Sequence, residues 1–511
     1  MEYQIYDILK GDSIIPNGVT NEEYRLKINE LTKDLPFTQL IKGLDQRYNI
    51  IILSSRINLL SSIELEELLR IILNKIEIPI NFKWQWDSNN YDSTLYNFQL
   101  NLQTQCENLL VLLNQLLVFV DKRIDMKLYR DELIIKLSKF TLMTPWSSNN
   151  SIKIVNEFII PNLLLSSSIS INDQLIKLSQ EIKFKFKELP KNSDKITSKG
   201  YKNFFNTQSL IGLNPSLGFN ESNSREIWKS ESVSWISSLN FLIKFIDKPQ
   251  NQWGIIVPSL LNILDDYEIG IKLIGMEILQ NLFYRFDDED QYLIQTGIFP
   301  IFMESLIPNL SYLPNSLSIS TDLSSKILKT TYNVIIQLII KFNPRDKVEL
   351  ELLKILSINI FSTINLIKDN IKILEILIEE ISKIVEIIKF KTIKSLPRLL
   401  YIIGILISDP YLNTQSIKSS KLYPKILDLI IQIELNCWMR LSNHMFDLLG
   451  MFIICYKKED HHENFSNEID EKIEVGIELL YKSVDQKQFK LLVMKLIEND
   501  PSLNLLFAKY I

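Results

Sequence analysis

The chain has 511 residues, of which 46% are hydrophobic and 23% are charged, a composition that supplies a large core and excludes an intrinsically disordered protein. It contains 13 glycines, too few for the tight turns of a β-rich fold or the phosphate loops of a nucleotide-binding fold. The net charge of −5 disfavours a protein devoted to nucleic acid, which usually carries a positive field.

Cysteine usage and the chain start predict the cellular location. Cys106, Cys437 and Cys455 lie far apart and form neither a disulfide framework nor a zinc motif, which is typical of a reducing compartment. The first residues, MEYQIYDIL, include no basic region, so no secretory signal is predicted. The longest apolar stretches, such as Leu399 to Ile407, fall short of the ~20 residues that span a bilayer. We therefore expect a cytoplasmic or nuclear protein.

Apolar residues recur at helical spacing along almost the whole chain, whereas period-two alternation between Asn-Gly or Asp-Gly turns is missing. Helix pairs spaced about 40 residues apart are typical of HEAT or armadillo arrays. We therefore predict an all-α, HEAT/armadillo-like α-solenoid of stacked antiparallel helix pairs. In chain order, the helices are expected at about 51–73, 95–121, 127–142, 151–166, 171–188, 231–247, 253–264, 268–285, 291–308, 321–342, 347–368, 370–389, 396–408, 421–455, 470–483, 487–498 and 501–509.

Two polar segments interrupt the predicted helices and indicate how the chain is divided. The longer is rich in Asn, Ser, Lys and Pro, which is typical of a long loop. The shorter contains the sequence KKEDHHENFSN, which is typical of a solvated loop. The expected segments are an N-terminal helical array at 1–186, a long polar loop at 187–226, a C-terminal HEAT-like array at 227–455, a polar loop at 456–469 and a terminal helical bundle at 470–511.

The most informative segment is Trp253–Phe286, which predicts a helix, an acidic turn and a second helix. Asp265 and Asp266 end the first helix and precede the second, where carboxylates accept hydrogen bonds from free N–H groups. Lys272 follows one helical turn later, a pattern that predicts a ladder of charges between stacked repeats. Gly275 allows a neighbouring helix to approach closely. The alternative, a carboxylate pair for acid–base catalysis, has no partner residues in view.

Two further groups are weighed as metal sites. The acidic run Asp287–Asp290 lacks the glycine and the spacing of a calcium loop and is better explained as a solvated linker. Cys455 with His461 and His462 lacks a fourth zinc ligand. The sequence motifs of nucleotide-binding proteins, zinc proteases and serine hydrolases are also missing. We therefore predict that the chain is not an enzyme and has no catalytic, cofactor-binding or metal-binding residues.

Lysines and aromatic residues interleave between Lys183 and Phe205, a composition that can bind single-stranded nucleic acid. Acidic residues dilute the charge, and this stretch has no arginine for base readout. We interpret it as a flexible loop. RNA binding is the alternative, and a steep dependence of binding on salt would reveal it.

Several stretches, in this order along the chain, resemble the second Tel-two-interacting protein family. The resemblance covers about residues 225–455. It rests on Trp228-Lys229, Trp235, the run from Val257 to Leu279, the run from Thr296 to Phe302 with Leu313-Pro314 after it, and the block Asn436–Arg440. In the last block Met439 stands where the family commonly has proline, a departure that removes a bend. The family positions so marked are Trp228, Trp235, Pro258, Asp265, Asp266, Lys272, Gly275, Gly297 and Pro314.

The resemblance implies a non-catalytic scaffold subunit of the TTT complex, whose other members are Tel two and the first Tti protein. That complex acts with the Hsp-ninety chaperone and its R-two-T-P adaptor. It supports the maturation and stability of phosphatidylinositol-3-kinase-related kinases, including TOR and the ATM- and ATR-like kinases of the DNA damage response. In yeasts the family is also linked to the ASTRA assembly, and the resemblance is to a fungal member.

A solenoid exposes an extended face, on which binding energy concentrates in a few aromatic or arginine side chains. Trp253, Trp438 and Arg440 are therefore candidate partner-binding residues, with burial in the core as the alternative for each tryptophan. The alternative function is an importin- or adaptin-like transport solenoid, although the chain is short for one and lacks periodic acidic ridges. An unrecognised enzyme would need His, Cys or carboxylate side chains that converge on a pocket.

Overall fold

The structure is a computed structural model, and most of the chain that it describes is helical. The described residues are 22–80, 82–86, 92–120, 123, 128–161, 171–186, 195–203, 233–288, 290–314, 319–367, 369–410, 412, 422–458 and 466–510. Within these ranges one isolated antiparallel bridge joins Ile196 to Lys202, and no strand is present. The predicted all-α, HEAT/armadillo-like α-solenoid class is confirmed. None of the helices in these ranges is long and apolar enough to cross a membrane.

The chain forms two compact units. The first comprises Met1–Phe286 and Thr296–Ile301, and the second comprises Asp287–Gln295 and Phe302–Ile511. The sequence places its main division at 187–226 instead, and most of that range lies outside the described residues. The five-segment organisation therefore stays a prediction.

The helices of the first unit are amphipathic, as the helix at Ser62–Lys75 illustrates. Its residues Leu65, Leu68 and Ile72 recur at helical spacing and are fully buried, and each contributes roughly 1.5–3 kcal/mol of transfer free energy. In chain order the helices are α1 (Glu22–Leu31), α2 (Phe37–Lys42), α3 (Arg47–Arg56), α4 (Ser62–Lys75), α5 (Ser93–Val120), α6 (Arg130–Ser138), α7 (Asn149–Lys153), α8 (Ile171–Lys185), α9 (Trp235–Phe245), α10 (Trp253–Leu264) and α11 (Ile269–Phe283). The π-helical segment Ile154–Ile159 continues α7.

The chain passes from one unit to the other three times: after Phe286, within α12 (Gln291–Thr296) and within α13 (Phe299–Leu306). A second π-helical segment, Ile355–Ile360, joins two helices of the second unit. The helices that follow are α14 (Thr321–Phe342), α15 (Arg345–Lys354), α16 (Phe361–Leu366), α17 (Ile371–Ile388), α18 (Leu396–Ser408), α19 (Leu422–Cys437), α20 (Met445–Lys458), α21 (Ser466–Ser483), α22 (Gln486–Asn499) and α23 (Asn504–Phe507).

A repeat organises the second unit, in which α14, α17, α19 and α21 pack one against the next. Side chains 50 residues apart meet between α14 and α17 and between α17 and α19, and side chains 44 residues apart meet between α19 and α21. Lys372 Nζ lies 2.9 Å from Asp322 Oδ1, and Lys425 Nζ lies 2.8 Å from Glu375 Oε2. The predicted spacing of about 40 residues is thus too short for the first two of these contacts and close for the third. The first repeat is longer because α14 spans 22 residues and the segment Arg345–Leu366 follows before α17 begins.

The prediction of one continuous helix at 51–73 is wrong, because this range contains the end of α3, at Arg56, and the start of α4, at Ser62. Ser61 Oγ accepts a hydrogen bond from the N–H of Glu64, and Glu64 Oε2 accepts one from the N–H of Ser61 at 2.8 Å. This reciprocal capping box starts α4. Its Ser-x-x-Glu spacing is a local signal, so this break is readable in the sequence.

Two further predicted helices are interrupted, each for its own reason. The helix predicted at 291–308 divides at Gly297, whose φ of 62° lies in the left-handed region that ends many helices at glycine. The helix predicted at 421–455 divides into α19, a 3-10 segment at Trp438–His444, and α20. Neither glycine nor proline marks this second break. Tertiary packing accounts for it, since Leu441 in the middle of the 3-10 segment is fully buried.

Candidate partner-binding surface

Charged residues hold the turn between α10 and α11, the centre of the family motif. Asp266 Oδ1 accepts a hydrogen bond from the N–H of Glu268 at 2.8 Å, directly before α11. Lys272 is buried, and its Nζ donates to the carbonyl of Leu264, the last residue of α10, at 3.1 Å. A carboxylate before one helix and a cation at the end of the other both complement the helix dipoles. Asp266 and Lys272 therefore stabilise the contact between α10 and α11. The predicted ladder of charges between stacked repeats stays a prediction.

The remaining motif positions of this pair lie at the helix contact. Asp265 is the C-cap of α10, and its N–H donates to the Leu261 carbonyl at 2.9 Å. A Cβ on Gly275 would lie 2.8 Å from Ile263 Cγ2, so the missing side chain is what lets α11 approach α10. Pro258 lies inside α10, where it supplies no N–H to the preceding turn.

Trp253 belongs to the core of the first unit. Its side chain is 1% exposed, and its ring meets that of Phe286 edge to face, with centroids 5.8 Å apart. The turn formed by residues 195–203 packs onto it. Gly200 in this turn has a φ of 80°, and a Cβ there would lie 2.7 Å from the Trp253 carbonyl oxygen. A buried indole offers no surface to a partner, so Trp253 serves packing.

Backbone hydrogen bonds hold the same turn, both within it and to Thr296. The N–H of Thr197 donates to the Tyr201 carbonyl at 2.8 Å, and the N–H of Lys202 donates to the Thr296 carbonyl at 3.0 Å. A Cβ on Gly254 would lie only 2.3 Å from the Ser198 carbonyl oxygen, which shows how closely the turn approaches α10. The expectation of a flexible loop is therefore wrong for residues 195–203, because they are hydrogen-bonded and packed.

Four family positions remain. Trp235 is buried at the start of α9, with Lys139 Nζ 5.3 Å from its ring centroid. Gly297 ends α12 through its positive φ. Pro314 is half-buried, shortly after the 3-10 segment that ends at Ser311. Trp228 lies outside the described residues, as do His461 and His462.

An exposed apolar group marks the turn between α19 and α20. It consists of Leu435, Trp438, Met439 and Phe446, which we call the Trp438 surface. Trp438 is 56% exposed and Arg440 beside it is also exposed. Exposed tryptophan, methionine and arginine side chains are enriched at protein–protein interfaces. Of the three candidate anchors, Trp438 and Arg440 are thus accessible to a partner and Trp253 is not.

Other residues of the same turn are apolar and buried, so packing in the core holds the backbone that carries the Trp438 surface. Cys437, Leu441 and Met445 recur every four residues and are all buried. Burial raises the pKa of the Cys437 thiol to about 11, so this side chain packs as a small neutral group. The turn thus combines buried side chains, which anchor it, with exposed apolar side chains, which a protein partner could cover.

Polar residues lie in the same stretch of chain as the Trp438 surface. His444 Nδ1 lies 3.3 Å from Asp447 Oδ2, and both follow Arg440 along the chain. Leu435 and Phe446 are members of the surface that the sequence pattern does not reveal. In the sequence, Leu435 and Phe446 look like the buried apolar residues of the same helices. Only their exposure in the structure distinguishes them from those core residues. Across the described ranges, His, Cys, Asp and Glu side chains nowhere form a group of three or more that could hold a metal ion.

A model of the Tti2 family matches residues 133–414, which is more than half of the chain. The chain belongs to the Tti2 family. The assignment suggested by the sequence motifs is therefore confirmed. The matched range includes the turn between α10 and α11, and it ends before the Trp438 surface.

Comparison with curated proteins finds no match. Among solved structures, the karyopherin Kap121p bound to the SUMO protease Ulp1p is 12% identical, with a TM-score of 0.38, over 96% of this chain and 50% of that one. Yeast importin-β, Kap95p, is 11% identical, with a TM-score of 0.35, over 99% of this chain and 65% of that one. The Tti2-family chain thus spans between half and two thirds of the length of these karyopherins.

Proposed function

We propose that this chain is a non-catalytic scaffold subunit of the TTT complex, in which it binds the first Tti protein and, with it, Tel two. Its membership of the Tti2 family is the observation that carries the proposal. Family membership supports a role in a complex with other Tti and Tel proteins. The finer proposal is that this complex, with the Hsp-ninety machinery and R-two-T-P, supports maturation of phosphatidylinositol-3-kinase-related kinases in the cytoplasm or nucleus. ASTRA is a further assembly in which it would take part.

The Trp438 surface is our candidate for the contact with the first Tti protein. Binding energy in protein interfaces concentrates in a few aromatic and arginine side chains that are surrounded by polar rims. Trp438 and Arg440 are both exposed, as are the apolar side chains of Leu435 and Phe446 on either side of them in the chain. A partner that covers a half-exposed tryptophan and other exposed apolar side chains removes their apolar surface from water, which favours binding.

The test is an affinity purification of the tagged chain from its own cells, followed by mass spectrometry. The wild-type chain should recover the first Tti protein, Tel two and large kinase-like proteins. Trp438→Ala should recover at least about tenfold less of the first Tti protein, as expected for an interface hot spot. Tyr284→Ala removes a comparably exposed aromatic side chain of the first unit and should leave recovery unchanged.

Each other outcome has a definite meaning. Recovery of nuclear-pore components or a small GTPase in place of Tti and Tel proteins would favour the transport solenoid. Normal recovery with Trp438→Ala would move the contact away from the Trp438 surface and leave the complex itself supported. Loss of the first Tti protein with both variants would point to a general defect in folding, which thermal unfolding of the purified variants would detect.

A further inference from the structure

A pocket of about 310 Å³ lies in the first unit. The proposed function, which uses the Trp438 surface of the second unit, assigns it no role. Residues Glu77–Ile80 after α4 form one wall. Lys136 and Lys139 at the end of α6 and Lys185 of α8 supply ammonium groups, and Trp235 at the start of α9 supplies a ring. The pocket is large enough for one side chain or a small ligand.

Lys139 is the unusual member of this pocket. Lys139 is only 8% exposed, and its Nζ lies 5.3 Å from the ring centroid of Trp235. The backbone is held in place, because Trp146 Nε1 donates to the Lys139 carbonyl at 2.8 Å. Among the described residues no carboxylate pairs with Lys139, whereas its neighbour Lys136 pairs with Glu77 at 3.4 Å. A buried ammonium that has no carboxylate paired with it is costly to maintain.

The surroundings of Lys139 favour a single negative charge. Burial, together with the charges of Lys136 and Lys185 and against that of Glu77, lowers the pKa of its ammonium to about 8. Three lysines and the two glutamates Glu77 and Glu181 line the pocket, so its lining carries one more lysine than glutamate. A multiply charged phosphate would be repelled by both glutamates, whereas one carboxylate would balance the excess. The N-terminal end of α9, at the pocket edge, adds a partial positive charge.

We propose that this pocket binds the carboxylate of one acidic side chain from a protein partner. Lys139 Nζ forms the ion pair, and the apolar wall of Ile78, Pro79 and the Trp235 ring covers the methylene stem of the incoming side chain. The ion pair is shielded from solvent, so it discriminates strongly between a carboxylate and its neutral amide. The pocket lies in the first unit and the Trp438 surface in the second, so the two sites can be tested separately.

Saturation-transfer NMR on the full chain tests this with two matched ligands, N-acetylglutamate N-methylamide and N-acetylglutamine N-methylamide. The glutamate ligand should give signals at least about tenfold stronger than the glutamine ligand, as expected when one ion pair decides binding. Lys139→Met should abolish the glutamate signal. Lys183→Met, which removes an exposed lysine from α8, should preserve it. Equal signals from both ligands, or a glutamate signal that survives Lys139→Met, would overturn the proposal.

A second measurement uses the unaltered protein and so does not depend on the folding of any variant. Trace acetylation with acetic anhydride across a pH series, read by mass spectrometry, reports the pKa of each lysine. Saturation with the glutamate ligand should raise the pKa of Lys139 by about one pH unit or more and leave that of exposed Lys372 unchanged. An unchanged Lys139 pKa would reject the ion pair. Equal protection of Lys139 by sulfate at the same ionic strength would reject a carboxylate-selective site.

Discussion

Lys425 on α19 lies 2.8 Å from Glu375 on α17, so the ammonium of one repeat binds the carboxylate of the repeat before it. The same ammonium lies 2.7 Å from Glu379 Oε1, and Glu379 Oε2 lies 3.6 Å from Lys329 on α14. Opposite charges thus alternate across three successive helices. A half-buried network of this kind stabilises more than an isolated surface pair.

Replacing Lys425 with Met should destabilise the second unit by about 1 kcal/mol, because two half-buried carboxylates lose their shared cation while the apolar stem is kept. Calorimetric unfolding at neutral pH measures the change. Lys354→Met is the control, since Lys354 pairs with Glu351 on the same helix and is more exposed. It should change the free energy of unfolding by less than about 0.5 kcal/mol. Equal effects of the two substitutions would contradict a role for the network.

This contribution also depends on pH. Burial alone would raise the pKa of Glu379, but the hydrogen bonds and charges of Lys425 and Lys329 lower it overall. Burial alone would lower the pKa of Lys425, but Glu375 and Glu379 raise it overall. Stability from Glu379 is present above its unfolded pKa and is lost as the pH falls through the folded value. Stability from Lys425 is present below its unfolded pKa and is lost as the pH rises through the folded value. The difference between wild type and Lys425→Met should therefore be full between about pH 5 and pH 10 and shrink outside that window.

Glu434 on α19 should destabilise the fold at neutral pH. Its side chain is fully buried, neither carboxylate oxygen has a hydrogen-bond partner in the part of the chain that the structure describes, and burial raises its pKa well above the ordinary value. The folded state therefore holds a proton that the unfolded state releases, so stability falls as the pH rises from the unfolded pKa to the folded one. Glu434→Gln should melt higher than the wild type at pH 7 and equally at about pH 3, where the carboxyl is protonated in both the folded and the unfolded state. A lower melting temperature of Glu434→Gln at pH 7 would show that the carboxylate is stabilising.

Two helical glycines should respond in opposite directions to alanine. A Cβ at Gly275 would lie 2.8 Å from Ile263 Cγ2 and 3.2 Å from Leu264 Cδ2, so overpacking should outweigh the gain in helix propensity and destabilise by about 1 kcal/mol net. At Gly450, in α20, no described neighbour lies within 4 Å, and alanine should stabilise by up to about 1 kcal/mol. Chemical unfolding of both variants measures the sign. A stabilised Gly275→Ala would mean that α10 and α11 separate at little cost.

Charge reversal at the motif turn should affect folding before it affects binding. Asp266→Lys removes the acceptor for the Glu268 N–H and places a buried cation at the start of α11, at a cost of about 2–3 kcal/mol. Asp265→Lys should cost less, because Asp265 is more exposed and a cation suits the end of α10. Thermal unfolding and recovery of the first Tti protein are measured on the same preparations. Unchanged melting with lost recovery would instead assign the turn to the interface.

Sequence patterns are enough to predict the helical class, the family and the helix–turn–helix at Trp253–Phe286. These depend on local signals: hydrophobic spacing shows in any helical stretch, and acids between two apolar runs cap a helix wherever it lies. The capping box at Ser61 and the left-handed Gly297 are equally local, because a few neighbouring residues are enough to mark each of these two breaks.

Tertiary structure alone decided which side chains are covered. Trp253 and Trp438 both stand in apolar helical stretches, yet the turn at 195–203 packs over the first while the turn after Cys437 leaves the second in solvent. The 50-residue ladder and the pocket around Lys139 likewise join residues that are distant in the chain. Burial and ion pairing depend on which surfaces meet, and hydrophobic spacing within one helix carries no information about the identity of its neighbour.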